Sequence, residues 1–532
     1  MHNLNTPKDA DAIEAKAEGG PISRRGILAM GASVAAAGLG GATANAQAMG
    51  QDIVGGFNSG FGTTINGSPK QITVIGRSNT YVGRNVHWKN PELMLLRRIS
   101  YGPRKSDLDE ITARGYSAYL EEQLNPNSIN DSVCENVVAA RWPRVNSTFA
   151  QLQADDHIVA FNDLYHAFQY RAVYSKRQLL RKMTEFWVDH FNIEYTKPDL
   201  PVVVHFYKDV LQANALGTFK NLLHQVANHG GMMMFLDNYM NSSTQINVNF
   251  ARELLELYTV GVNGGYTEDD IYATARVFTG WGIAWGPQVG YRQMFAYDNA
   301  KHIPGTQTIM GQAFPQGGKL QGDAVLDWLS MHPKTIDFVC DKLCMWFLGA
   351  LPSPTMRSQL RTAWNATGGD LKSILRVILA RQTILFAAPK IKRPMHYLAS
   401  IFRALNESVY EEWIWQWALA NANQRMFFWP QPDGYPDRND TWAAGMVARL
   451  NVLMMMCSVA DTPGRWSTDR FKDAGSTLSG TLTAIEREAF CGEYPTPDKI
   501  ELTRMMKGKT INQTNVVAAV ANALGSPSFQ VF

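Results

Sequence analysis

The sequence predicts a mainly α-helical protein, one large multi-helix domain with long loops and little strand. Two observations predict it. Apolar residues recur at three- and four-residue intervals through most of the chain after residue 88, while period-two alternation is scarce. No repeat of fixed period accompanies them, which argues against a solenoid or propeller. Composition fits a folded body: the 532 residues are 45% hydrophobic and 18% charged, too apolar for a disordered chain. Fifty Lys and Arg against 47 Asp and Glu leave a net charge of +3, which gives no bulk electrostatic case for nucleic acid. Five Cys are too few for a disulfide scaffold, and the odd number leaves at least one thiol unpaired.

Residues 1–48 read as an export signal. Ser23-Arg24-Arg25-Gly26 is followed by a short apolar run interrupted by Gly31, Gly38, Gly40 and Gly41, then by the small-x-small sites Ala44-Asn45-Ala46 and Ala46-Gln47-Ala48. Basic residues, a weakly apolar stretch and a small-residue cleavage site describe a secretory signal, and the adjacent arginines give it the twin-arginine form. The expected destination is the periplasm or the exterior. No later stretch is apolar for long enough to span a bilayer, so no transmembrane segment is expected after signal removal. Residues 49–87, rich in Gly, Ser, Thr and Asn, read as an arm or linker with one strand-like run, Gln71–Ile75.

The helical domain is expected over 88–530. Pro91 opens a helix to Ile99, and Ser106 with Asp109 three residues on is expected to cap the next, which Gly115 interrupts before Leu124. Helical spacing continues over 151–192, 205–228, 248–260, 268–280, 323–348, 356–381, 392–420 and 440–460. Within these runs one helix–turn–helix is sharply marked. Asn249–Val260 is a helix, Gly261 its left-handed stop, Asn263-Gly264-Gly265 the turn, and Thr267 with Asp270 the cap of the next. Residues 281–322 form a Gly- and aromatic-rich insertion in which short strands are expected, and long loops on a helical body often carry function.

Several side chains carry chemistry. Glu253 and Glu256, three apart, share a helix face and are candidate catalytic carboxylates and metal ligands. The competing reading pairs them with arginines such as Arg252 and Arg276, because glutamate is seldom buried unless paired. His190, in Phe186-Trp-Val-Asp-His-Phe191, is either a ligand or proton carrier or a hydrogen-bonded core residue. Asp237 opens an oxygen-rich stretch to Asn249 that could supply a hard cation, or could simply be turn and capping residues. A divalent metal on Asp237, Glu253, Glu256 and His190 is the cofactor expected if they converge. His302, Trp281 and Tyr435 are candidate walls of such a pocket, and Arg252, Arg276 and Asp270 candidate structural ion pairs. Cys340 and Cys344 sit among Phe338, Trp346 and Phe347 and suit packing. Trp281, Trp285 and Trp429 fall in Gly- or Pro-rich turns, where they could stack on sugar rings or pin the loops down. There is neither a Gly-x-Ser-x-Gly elbow nor a P-loop.

Asn249-Phe-Ala-Arg-Glu-Leu-Leu-Glu-Leu-Tyr-Thr-Val-Gly261, Tyr266-Thr-Glu-Asp-Asp-Ile271 and Ala275-Arg-Val-Phe-Thr-Gly-Trp281 together resemble the signature of the DUF1800 family. Lys182–Phe191, His302-Ile-Pro-Gly305 and Pro432-Asp-Gly-Tyr435 with Trp442 and Arg449 extend the likeness over nearly all of the chain after residue 88. The resemblance implies an exported bacterial protein, often encoded beside a sulfatase-like exported companion, and brings no established activity. It departs at Tyr258, where the family often has His, and at Ile303, where it often has Asp. No metal role at those positions is therefore implied here.

Two readings of function follow. One is a metal- or carboxylate-dependent hydrolase acting on an envelope or extracellular polymer. The other is a non-catalytic binding or assembly protein that engages the sulfatase-like companion or a polysaccharide.

Overall fold

The computed structural model describes residues 88–532 except 199, 285–293, 444, 463–464 and 474. The export signal, the arm and Trp285 lie outside the described residues. The protein is mainly α: 64% of the described residues are helical, and among them are two small two-stranded sheets, in one large domain. No described helix is long and apolar enough to cross a membrane. One continuous apolar core runs from Met94 to Phe529.

The first helix, Pro91–Ile99, starts where the Asn90 side chain accepts the Leu93 N–H at 3.0 Å and Pro91 fills the first turn. It is buried from Leu93 onward, Arg97 and Arg98 included. Helices Lys105–Arg114 and Tyr116–Leu124 follow, split by Gly115 at φ +85°. The cap of the former corrects the sequence expectation. Asp107 reaches back to the Arg104 N–H at 3.0 Å, so Ser106 already lies inside the helix and Asp109 pairs with Lys105. At Thr267 the expected cap forms, with Asp270 accepting the Thr267 N–H at 2.8 Å and starting Glu268–Val277.

The long helical runs are broken where the backbone chemistry demands it. Pro333 cannot donate to the preceding turn, so 323–348 divides into Lys319–Met331 and Pro333–Leu348. Gly368 and Gly369 at φ +65° and +80° end Pro354–Thr367 before Leu371–Ile378, and Asn406 at φ +51° ends Pro394–Leu405. Around the centre, His157–Tyr174 packs on Ser132–Arg141, Leu200–His205 and Pro394–Leu405. The helix Gln178–His190 lies against Pro91–Ile99, Tyr116–Leu124 and Phe206–Gln212. In the insertion, Trp281–Ile283 pairs antiparallel with Phe295–Tyr297, and Gln307–Ile309 with Gln312–Phe314. All five cysteines are free and buried.

A second departure concerns the signature helix. Only Asn249–Glu253 is α-helical; Leu254–Tyr258 widens into a π turn, and the Gly261 N–H bonds to the Leu255 carbonyl at 2.9 Å. Gly261 has φ +81°, and a Cβ there would stand 2.7 Å from the Phe338 ring, so only glycine serves. Such π turns are frequent at functional sites.

Candidate functional site

The four expected metal ligands do not form one group. Asp237 is held in a left-handed turn at φ +58° and its carboxylate pairs with Lys197 at 2.9 Å. His190 is enclosed by Phe186, Trp187, Phe191, Phe219, Tyr258 and Phe338, with Nε2 3.2 Å from the Tyr258 carbonyl oxygen. Burial pushes its pKa well below the ordinary value, so it is a neutral packing residue at pH 7. Among the described residues one group of three side chains of metal-binding type has ligand atoms within 4.8 Å of one another: Asp131, Cys134 and Glu135. Its carboxylates are already engaged, Glu135 by Arg171 and Arg181, and Asp131 by the Ser175 hydroxyl. Burial pushes the Cys134 thiol up to about 12.

Most of the remaining candidates hold the fold. Arg252 grips Glu268 through two hydrogen bonds of 2.9 and 2.8 Å and reaches Glu256 at 3.4 Å. Arg276 is exposed and has no ion pair among the described residues. Asp270 bonds backbone, capping its helix and accepting the Met310 N–H at 2.6 Å. His302 is buried with Nδ1 3.1 Å from the Thr279 carbonyl oxygen. Trp281 is fully buried and belongs to the core. Tyr435 is buried and donates to the Arg425 carbonyl at 2.7 Å.

Glu253 differs from all of these. It is the last residue before the π turn, half-buried, and makes no hydrogen bond or ion pair among the described residues. Burial, with the charges of Glu256 and Asp433, pushes its carboxyl up to about 7 against the opposing Arg252. Asp433 comes from Pro432-Asp-Gly-Tyr435, far along the chain. That loop lies directly on the end of Gln178–His190: Gly434 has φ +70°, and a Cβ on it would fall 2.1 Å from the Asp189 carbonyl oxygen. Asn192 ties the same loop down through the Trp429 and Gln431 carbonyls at 2.9 and 2.7 Å. Asp433 accepts the Trp429 indole N–H at 2.8 Å.

Behind this loop lies a buried charge network absent from the sequence reading. Lys182, Glu185 and Asp189 project from Gln178–His190; Lys390, Arg393 and His396 come from around the start of Pro394–Leu405; Asp437 follows the loop. Arg393 pairs with Asp189, lies 3.6 Å from both Glu185 and Asp437, and donates to the Tyr435 carbonyl at 3.3 Å. Glu185 accepts from His396 at 2.8 Å and from the Tyr101 hydroxyl at 2.7 Å. Lys390 pairs with Asp437 at 2.7 Å. Lys182, whose ammonium faces the rings of Trp346, Tyr101 and Phe532, is lowered by burial to about 7. Burial raises Asp189 to about 6 despite Arg393, and lowers Lys342, which makes no hydrogen bond among the described residues, to about 8. Asp189 and Asp433 both act on Lys342. Perturbed groups of both signs, Glu253, Asp189, Lys342 and Lys182, therefore stand around this loop, and perturbed groups of this kind gather at functional sites.

The signals were in the sequence. Lys182, Glu185 and Asp189 stand at i, i+3 and i+7, and Lys390, Arg393 and His396 at i, i+3 and i+6. The first set reads locally as a polar stripe facing water and the second as a basic lead-in to a helix; only their pairing across the fold puts both inside.

The sequence profile of a family described as Protein of unknown function (DUF1800) matches residues 94–531. Neither a curated protein nor a solved structure matches the chain.

Proposed function

The chain belongs to the DUF1800 family, and we propose that it is an exported hydrolase in which Glu253 is the general acid and Asp433 the group that takes the proton of water. The polymer would be one of the cell envelope or the exterior. The observation that carries this reading is a half-buried carboxyl with no partner, set at a π turn and within electrostatic reach of Asp433 on a loop held close by Gly434. A structural glutamate would be matched by a cation, as Glu256 and Glu268 are by Arg252. A carboxyl kept protonated by its surroundings, with a second carboxyl close by, is how one site supplies acid and base at neutral pH. In the step, Glu253 gives its proton to the bridging oxygen as the bond to carbon breaks. Water adds to that carbon, and its proton passes to Asp433. Export rests on Arg24-Arg25 and the run that follows them.

The test is release of soluble fragments from isolated envelope and extracellular polymers by the purified protein. Glu253→Gln should lower the rate by about 10²-fold or more with no fall in melting temperature. The wild-type rate should fall as pH rises through about 7, because the acid form of Glu253 is then lost. A folded protein that releases nothing from any fraction, or whose rate is indifferent to Glu253→Gln, leaves the binding and assembly reading in its place.

A further inference from the structure

A cavity of about 430 Å³ opens beside the same loop. Asn421, Asn423, Trp429, Thr441, Trp442 and Asn451 supply its polar and aromatic lining, and none of the described lining residues is charged. Its volume falls within the range of small-molecule sites.

The two indoles are held in place. The Trp429 N–H is committed to Asp433 at 2.8 Å and the Trp442 N–H to the Pro436 carbonyl at 2.9 Å. The Tyr435 ring stands between them, 4.9 Å from Trp429 and 5.9 Å from Trp442. With both N–H groups used, the tryptophans offer a ligand carbon surface only. The polar groups are the reverse case. The side chains of Asn423, Asn451 and Thr441 make no hydrogen bonds among the described residues, and Asn421 donates to the Trp417 carbonyl at 2.8 Å with its own oxygen left over.

The ligand that matches rigid apolar surface ringed by neutral donors and acceptors has C–H faces and many hydroxyls, and carries no charge. A phosphate or carboxylate would meet no cation here. An apolar peptide would strip water from the amides without replacing their hydrogen bonds. We propose that this cavity binds one or two units of a neutral saccharide chain. The inference rests on the acid/base reading only in making that saccharide the substrate: Asp433 bonds to Trp429 and acts on Glu253, so the cavity and the carboxylates share one loop.

The test reads binding alone. The full chain is titrated with neutral gluco-, manno- and galacto-oligosaccharides, and with galacturonate oligosaccharides, by tryptophan fluorescence and calorimetry. Saturable binding of a neutral oligosaccharide is expected, with none of the galacturonates. Asn451→Ala and Thr441→Val are surface changes that leave the fold intact, and each should weaken binding about five- to tenfold. Trp429→Ala should abolish it, and Glu253→Gln should retain it. No saturable binding by any neutral oligosaccharide overturns the proposal, as does equal binding of galacturonates or binding indifferent to all three cavity variants. Binding retained in a protein without turnover upholds this site and overturns the acid/base reading. Turnover that depends on Glu253 without neutral-saccharide binding does the opposite.

Discussion

At the scale of single residues, the contrast between Glu253 and Glu256 organises the site. They are three positions apart, yet Glu256 shares Arg252 with Glu268 and Glu253 has no cation of its own. Their spacing was legible in the sequence. Their difference was not, because it depends chiefly on how far folding buries Glu253, with Asp433, brought from 180 positions further along, a smaller contributor. The raised carboxyl has a consequence for stability. Between the ordinary value of 4.5 and about 7 the folded protein holds a proton that the unfolded chain has lost, so this group's contribution falls as pH rises through that window. Glu253→Gln removes the charge that the folded state disfavours. It should therefore stabilise the protein at pH 8, by about 1 kcal/mol once partial exposure is discounted, and have little effect at pH 5. Chemical denaturation at the two pH values measures this difference.

At the scale of elements, periodicity marked nearly every helix, and chemistry that was only partly legible set the ends. Thr267 caps as expected because its partner Asp270 lies within the same turn. Ser106 does not, because Asp107 serves the Arg104 N–H first. The π turn at Leu254–Tyr258 had no signal, since Leu, Glu and Tyr are equally at home in an α-helix. The helix Gln178–His190 hides more, because its polar residues face Arg393 and His396 at the start of Pro394–Leu405. Removing Arg393 leaves Asp189 and Glu185 without that cation in the interior, so Arg393→Met should cost about 3–5 kcal/mol. Lys392 is the opposite case. It is buried, has Ser400 Oγ at 3.2 Å and the Phe529 ring beneath it, and no carboxylate within ion-pair distance among the described residues. Lys392→Met should therefore stabilise the protein, by about 1 kcal/mol or more. Thermal melts of the two variants should move in opposite directions.

At the scale of the whole molecule, helix content and fold class could be read from periodicity, whereas the interior could not. The blocks of the family signature stand hundreds of residues apart, yet Tyr101, Lys182, Glu185, Asp189 and the 432–435 loop meet at one buried network. The chain also closes on itself, with Lys390 and Phe532 exchanging backbone hydrogen bonds of 3.1 and 3.0 Å. One large apolar core, a small second cluster around Tyr435 and Trp442, and a charge network that joins distant helices predict one cooperative unfolding transition for residues 88–532, seen as a single calorimetric peak. Two separable peaks would mean that the network does not couple the parts it touches.

The account turns on the protonation state of one carboxyl. Infrared difference spectra between the wild-type protein and Glu253→Gln, taken across pH 4 to 9, observe it directly. The predicted result is a protonated carboxyl band that persists at pH 6 and titrates near 7. A band already gone by pH 5 would contradict it, leaving Glu253 an ordinary ionised glutamate with no proton to give.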